Sequence, residues 1–263
     1  MSIRIDALRL RRFILAGTML SIILSILFMG SGGGAGTGAV DIRQGLVGYW
    51  AFDENSTSTY LDTSGYGNNG VHSLLTPNRL QWRNCEFGSC LNFNRTLNTY
   101  IQTPTTFLPS GNATRSVSLW IYPTISAEGD SAIFSYGCTT GDGSCFNILV
   151  RNDGSLYFQG NNLDSATGLT VTMNIWNFIV FTYTFTNQVN LVAYLAVASV
   201  AHQDLSLSRQ LSTSAGSVLY IGTRADGPTI SFTGREDDVR LYNSYLSGIQ
   251  VQQLFNYGKL YHN

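Results

Sequence analysis

Carboxylates that could do chemistry gather in two short segments near the ends of the chain's main body. The first is Gly48-Tyr-Trp-Ala-Phe-Asp-Glu54 and the second is Glu236-Asp-Asp-Val-Arg-Leu-Tyr-Asn243. Each sets acidic side chains beside aromatic and branched apolar ones, the pattern of a half-buried strand. Two chemistries suit such groups. Hard carboxylate oxygens can ligate calcium. Two carboxyls about 5–10 Å apart can hydrolyse a glycosidic bond. On a regular strand, alternation puts Glu236 and Asp238 on one face and Asp237 on the other. Glu236 with Asp238 is therefore the candidate glycosidase dyad, and no second acidic strand supports it. His72, His202 and His262 are scattered without metal-ligand spacing, and there is neither a Gly-x-Ser-x-Gly elbow nor a phosphate loop.

The elements that must position these groups read as strands. Ser116-Val-Ser-Leu-Trp-Ile-Tyr122 alternates, with Val117, Leu119 and Ile121 on one face, and Pro123 ends it. Asn152-Asp-Gly154 between apolar alternations marks a hairpin. A second hairpin turns around Thr186-Asn-Gln188. About a dozen strands follow one another without an intervening helical period, which excludes alternating α/β architectures. The expected fold is all-β, a two-sheet antiparallel sandwich. One helix is expected from Gly248 to about Tyr257: Ser247 and Gln250 form a capping box, and Gly258 supplies a stop. Trp50, Trp120 and Trp176 read as core.

Composition narrows the function classes. Charged residues are only 12% of the chain and the net charge is −1, with no basic stripe beyond the N-terminus, so nucleic acid is excluded as a partner. Arg4, Arg9, Arg11 and Arg12 precede an uncharged, mostly apolar run from Phe13 to Met29. That arrangement reads as an N-terminal hydrophobic helix, either a signal peptide or an uncleaved membrane anchor, with the remainder exported. Residues 1–29 form this segment, 30–44 a Gly-rich linker and 45–258 the sandwich domain. Four cysteines allow three connectivities. Local pairing, Cys85 with Cys90 and Cys138 with Cys145, is the simplest, because each pair would clip one loop. A zinc site wants gaps of two residues, which neither pair has. Asn55, Asn94 and Asn112 begin glycosylation sequons usable outside the cell.

Several segments resemble a known family. Gly45-Leu-Val-Gly-Tyr-Trp-Ala-Phe-Asp-Glu54, Asp62-Thr-Ser-Gly-Tyr-Gly-Asn-Asn-Gly70 and Phe87-Gly-Ser-Cys-Leu-Asn-Phe-Asn94 resemble the opening of a laminin-G-like, concanavalin-A-like domain. Val117-Ser-Leu-Trp-Ile-Tyr-Pro123 is similar to its next core strand, and Trp176-Asn-Phe-Ile-Val-Phe-Thr-Tyr183 to its central Trp strand. Asp237-Asp-Val-Arg-Leu-Tyr-Asn-Ser-Tyr-Leu-Ser247 with the following helix resembles its ending. Two departures stand out. Asn177 replaces a frequent His, and Tyr194-Leu-Ala-Val-Ala-Ser-Val-Ala201 lacks the usual Tyr-x-Asp-Gly hairpin.

The resemblance spans residues 45–258 and implies a jelly-roll-like sandwich that often holds a structural calcium ion. Its implied ligands are Asp53, then Asp62, Asn68 and Asn69 in the following loop, and Asp237 or Asp238 on the last strand. The same Asp and Asn residues serve equally as turn caps. Aromatic residues expected on loops, Tyr60, Tyr66, Trp82 and Tyr136, could stack on a sugar or contact a protein. The combined expectation is an exported, membrane-tethered or secreted binding and adhesion module, recognising carbohydrate or a cell-surface protein without catalysis. A glycan hydrolase and a structural surface-layer component are the alternatives.

Overall fold

The structure is a computed structural model that describes residues 40–54, 59–72, 81–85, 88–104, 106–124, 129–195, 199–227 and 230–259. The expected N-terminal helix from Phe13 to Met29, the linker up to residue 39 and the sequon at Asn55 lie outside the described residues. Sixteen strands and one long helix are described, more strands than the sequence suggested, because several of the pairings involve segments of only two or three residues.

Two antiparallel sheets face each other. The first runs in the order β14 (Ser199–Ser206), β13 (Gln188–Leu195), β12 (Asn177–Tyr183), β7 (Arg115–Pro123), β16 (Gly234–Tyr242), β5 (Ser89–Phe93) and β4 (Gln81–Asn84), with β1 (Leu46–Trp50) also paired to β16. The second runs β11 (Ser165–Thr170), β10 (Ser155–Gln159), β9 (Phe146–Val150), β8 (Ser131–Tyr136), β15 (Leu219–Ile221), β6 (Ile101–Thr103), β3 (Gly70–His72) and β2 (Thr59–Tyr60). This is an all-β sandwich of the jelly-roll kind. The first and last strands of the domain neighbour each other, with Trp50 opposite Val239.

Alternation builds the core. Val117, Leu119 and Ile121 of β7 point inward with Ile179 and Phe181 of β12 and meet Phe134, Phe146, Ile148 and Phe158 from the other sheet. The opposite face of the first sheet carries a second cluster, Trp120, Phe178, Tyr194 and Tyr242, which the helix α1 (Gly248–Lys259) covers with Val251, Leu254 and Phe255. The capping box forms: Ser247 N donates to Gln250 Oε1 at 2.9 Å, and Gln250 N donates to Ser247 Oγ at 3.3 Å. Phe255 stacks on Tyr194 with ring centroids 3.8 Å apart and on Trp120 at 5.8 Å. Gly258 does not end the helix, which continues to Lys259. Its lack of a side chain serves packing instead, since a Cβ there would lie 2.1 Å from Trp120 Nε1.

Strand β16 departs from regular alternation. Its register with β7 shifts between Asp237 and Arg240. Asp238 adopts φ +52°, the left-handed region that Asp tolerates better than most residues. The result is a β-bulge. Glu236 lies opposite Ile121 and Leu91, both core residues, and Val239 is again in the core. The expectation that Glu236 and Asp238 share a face, and that one of the two Asp residues points inward by alternation, is therefore corrected. The extra residue leaves Glu236 facing the core and puts Asp237 and Asp238 on the helix-covered side.

Glu236 is fully buried, and neither of its oxygens has a hydrogen-bond partner among the described groups. Burial alone pushes its carboxyl well above the ordinary range. The folded chain then holds a proton that the unfolded chain releases, so stability falls as pH rises above about 4.5. Glu236→Gln should remove one proton's share of that fall, about 1.4 kcal/mol per pH unit, from urea unfolding free energies measured upward from about pH 5. An unchanged slope would contradict burial of a neutral acid. Independently, Gly258→Ala should cost about 1–3 kcal/mol through overpacking against Trp120. A melting temperature equal to wild type would refute the contact.

Candidate functional site

The acidic residues fall into two separate structural settings. At the bulge, Asp238 Oδ1 accepts hydrogen bonds from the Tyr49 hydroxyl at 2.6 Å and from Arg240 Nη2 at 3.2 Å. The Arg240 guanidinium lies 4.0 Å from the Tyr49 ring centroid and 6.0 Å from that of Tyr257 on α1. Burial by itself would lower the Arg240 pKa, but the Asp238 carboxylate outweighs it and the net shift is upward, so Arg240 stays charged. Burial raises Tyr49 well above the usual phenol range, with Arg240 opposing and Asp238 reinforcing the rise. Asp237 is raised by burial first, then by the nearby charges of Asp238 and Asp53. Its Oδ1 accepts from the Asp238 backbone N–H at 2.9 Å. This is a buried ion pair with aromatic walls, a locking arrangement between the last strand, the first strand and the helix.

Asp62, Asn68 and Asn69 form a turn. Asp62 Oδ1 accepts from the backbone N–H groups of Tyr49 and Ser64, both at 2.9 Å, and Oδ2 accepts from that of Asn68 at 2.8 Å. Asn69 Oδ1 accepts from Asp62 N at 2.8 Å. Asn68 is fully buried; its amide donates to Val47 O at 3.0 Å and its Oδ1 accepts from Thr106 N at 3.1 Å. These oxygens hold backbone groups, as turn caps do.

The six residues implied as calcium ligands lie at the bulge, in the Asp62–Asn69 turn and, for Asp53, beside Ser89. Calcium takes six to eight oxygens at about 2.3–2.6 Å. Among the described residues, the one trio of His, Cys, Asp or Glu ligand atoms lying within 4.8 Å of each other is Cys138, Cys145 and Asp226. The two sulfurs of that trio are consumed by a disulfide. Asp53 Oδ1 accepts from Ser89 N at 3.4 Å. Nor do Glu236 and Asp238 make a hydrolytic dyad, since one faces the core and the other the helix.

Two of the four aromatic candidates are core residues. Tyr60 packs edge-on to Phe52 in the interior. Tyr136 is buried with its hydroxyl donating to Pro109 O at 3.0 Å and accepting from Arg115 at 2.9 Å. Both were expected on loops; both sit at strand ends whose side chains turn inward. The Trp82 side chain lies outside what is described. Tyr66 is 42% exposed and stands edge-on to Phe107, which is 66% exposed, at a centroid distance of 5.2 Å. Phe107 adopts φ +64°, a strained conformation for an aromatic residue.

A cleft that sequence reasoning missed lies on the outer side of the second sheet. Its volume is about 280 Å³, and Tyr220, Cys138, Thr139, Ser214, Ser217 and Ala225 are among its lining residues. The Tyr220 ring leans against Tyr100 at 5.8 Å. The expected local disulfides are both present, and Cys138–Cys145 stiffens one wall. The facing wall is pinned from beneath. Buried Arg115 donates to Thr213 Oγ1 at 2.7 Å and to Gly111 O at 2.8 Å, and its guanidinium lies 5.5–5.7 Å from the rings of Tyr136, Phe146 and Tyr183. Gly137, at φ +86°, lets Thr213 approach; a Cβ there would lie 2.6 Å from the Thr213 Cβ. The rim hydroxyls of Thr139 and Ser214 are 2.9 Å apart. Among the described lining residues none is charged, and the Asp226 carboxylate lies just outside, within 4.8 Å of the Cys138 sulfur. Such a cleft suits a neutral ligand with hydroxyls and an apolar face. Its signal in the sequence is faint, a Ser/Gly-rich loop followed by a Tyr on a short strand.

Asp62→Ala removes the acceptor of three backbone N–H groups and should cost about 2 kcal/mol. The loss should be equal with millimolar calcium and with chelator, read as thermal unfolding. A cost present only with calcium would favour the metal reading.

Comparison with known proteins bears on the fold. Domain 4 of AbnA, a GH43 extracellular arabinanase from Geobacillus stearothermophilus solved with arabinotriose, is similar at 20% identity and a TM-score of 0.59, covering 80% of this chain and 97% of that one. The binding domain of Paraclostridial Mosquitocidal Protein 1 is similar at 16% identity and a TM-score of 0.61, over 82% of this chain and 53% of that one. The binding domain of botulinum neurotoxin DC, solved in complex with SialylT, is similar at 12% identity and 0.60, over 82% and 52%. The chain thus spans about half the length of each of these toxin domains. Among curated proteins, no sequence matches. The family model described as the concanavalin A-like lectin/glucanases superfamily, a laminin G model, matches residues 94–252. With more than half of its length matched and its two sheets in place, the chain belongs to the concanavalin A-like lectin/glucanases superfamily.

Proposed function

We propose that the chain is an exported, non-catalytic module that binds neutral carbohydrate in the Tyr220 cleft. The observation that carries this reading is the cleft itself: an aromatic floor, a disulfide wall, hydroxyls on the rim and no charged residue among the described lining. Sugars offer an apolar ring face for stacking and hydroxyls for hydrogen bonding. Two similar structures were solved with arabinotriose and SialylT, which supports a saccharide as ligand class. Two disulfides support an oxidising compartment. The arginine-flanked run before Met29 supports export, with or without an anchor. Among the described residues, no helix is long and apolar enough to cross a membrane.

A protein partner is the second reading, and the exposed Tyr66–Phe107 pair favours it. Strained backbone that displays an exposed aromatic is retained where the surroundings hold it, here through Asn68 to Thr106.

A glycan array probed with the full chain should retain one or more neutral oligosaccharides. Tyr220→Ala should weaken retention about tenfold, the equivalent of about 1.4 kcal/mol, while Phe107→Ala leaves it unchanged. Loss through Phe107 but not Tyr220, or no retained glycan at all, would reject the cleft as the site.

A further inference from the structure

A tight turn ahead of β7 holds one of the sequon asparagines outward. Ala113 N donates to Ser110 O at 3.1 Å, so Gly111 and Asn112 occupy the central positions of a β-turn. Gly111 takes φ +58°, which glycine adopts without strain. The turn's backbone is pinned from two directions. Gly111 N donates to Thr213 O at 2.7 Å, and buried Arg115 donates to Gly111 O at 2.8 Å and to Ala113 O at 2.9 Å. The Asn112 side chain is left exposed at the tip, and Thr114 completes the sequon Asn112-Ala-Thr114.

The surroundings of that side chain suit a sugar. Asn112 Nδ2 donates to Gln210 Oε1 at 3.1 Å, and the same Gln210 amide donates through Nε2 to Phe185 O at 3.0 Å. One side-chain amide thus spans from the sequon to the hairpin between β12 and β13. Phe185 on that hairpin is 60% exposed, an aromatic face open to water beside the acceptor. Aromatic rings of this kind pack against the apolar face of a sugar. An Asn amide nitrogen carries two hydrogens. Glycosylation replaces one, and the other can still donate to Gln210. Asn94 offers the opposite setting. It is half-buried and turned back onto its own loop, with Oδ1 accepting from Leu97 N at 3.1 Å and its backbone N–H donating to Thr99 Oγ1 at 2.6 Å.

We propose that Asn112 carries an N-linked glycan whose first sugar packs on the Phe185 ring, while Asn94 stays bare. This rests on the export proposed above, because such sequons are modified in secreted chains. The donor is a lipid-linked glycosyl phosphate, used by a membrane glycosyltransferase. Asn112 Nδ2 forms a bond to the anomeric carbon as the bond from that carbon to the phosphate oxygen breaks. The lipid phosphate leaves with the electron pair, and one amide proton passes to solvent. Phe185, exposed on a hairpin turn, gains a packing partner.

Peptide mass spectrometry of the full chain, purified from the cells that produce it, reads the site. The peptide containing Asn112 should carry a glycan mass, and the peptide containing Asn94 should not. Asn112→Gln should speed the chain's migration on a denaturing gel, and Asn94→Gln should leave it unchanged. Asn112→Gln should also lower Tm by about 2–4 °C, the shift of one weak contact in a domain of this size. In a Phe185→Ala background the same substitution should leave Tm unchanged. Protease added to the intact producing cells tests export separately. An unmodified Asn112 on a chain that this protease cleaves would overturn the proposal and leave export standing. An unmodified Asn112 on a chain that it cannot reach would remove both. A glycan on Asn94, or an equal fall in Tm with and without Phe185, would also contradict the proposal.

Discussion

Strand β16 is the constraint on which the sandwich depends. It has β7 along one side and two successive neighbours along the other, β5 against its first half and β1 against its second. One strand thereby joins the last segment of the domain to its first, and closes a pairing across nearly two hundred residues. The bulge at Asp237–Asp238 sits where one neighbour gives way to the other. A left-handed Asp costs on the order of 1 kcal/mol or more, and the Asp238–Arg240–Tyr49 contacts hold it there. Helix α1 then seals that face, with Tyr257 beside Arg240 and Phe255 on Trp120. The entry segment is tied to the same place, as Gln250 Nε2 donates to Asp41 O and the Tyr242 hydroxyl to Ile42 O.

That seal divides the molecule by task. The acidic and aromatic residues richest in chemical possibility are spent on closing the first sheet, where they are buried and paired. The second sheet carries the cleft, which is built from residues of little individual distinction. Arg115 links the two tasks. It starts from β7 in the first sheet, crosses the core among three aromatic rings and pins Thr213, next to the cleft wall. With no carboxylate partner among the described residues, this buried cation is held by ring faces and by oxygens of Gly111, Ala113, Tyr136 and Thr213.

Much of the scaffold was legible in the residues. The Ser247–Gln250 box, the Val117-Leu119-Ile121 face and the close cysteine pairs each have a local cause, and each reappears as expected. What alternation could not reveal is the bulge, because nothing in Asp-Asp declares that one residue will turn left-handed; the switch of neighbouring strands decides it. Tyr60 and Tyr136 were misplaced because a turn-rich flank does not say which way the adjoining side chain points. Gly258 looked like a stop, yet tertiary packing against Trp120 gave it another use. The cleft was invisible because its lining comes from residues 138–139, 214–218, 220 and 225, joined only by topology.

The central claim is that ligand binding belongs to the second sheet and not to the sealed acidic face. Hydrogen–deuterium exchange on the full chain, with and without a saturating retained oligosaccharide, tests it most directly. The account predicts slowed exchange confined to residues 138–139 and 214–220, with 236–240 and α1 unchanged. Slowed exchange across 236–240, with none at 214–220, would contradict it.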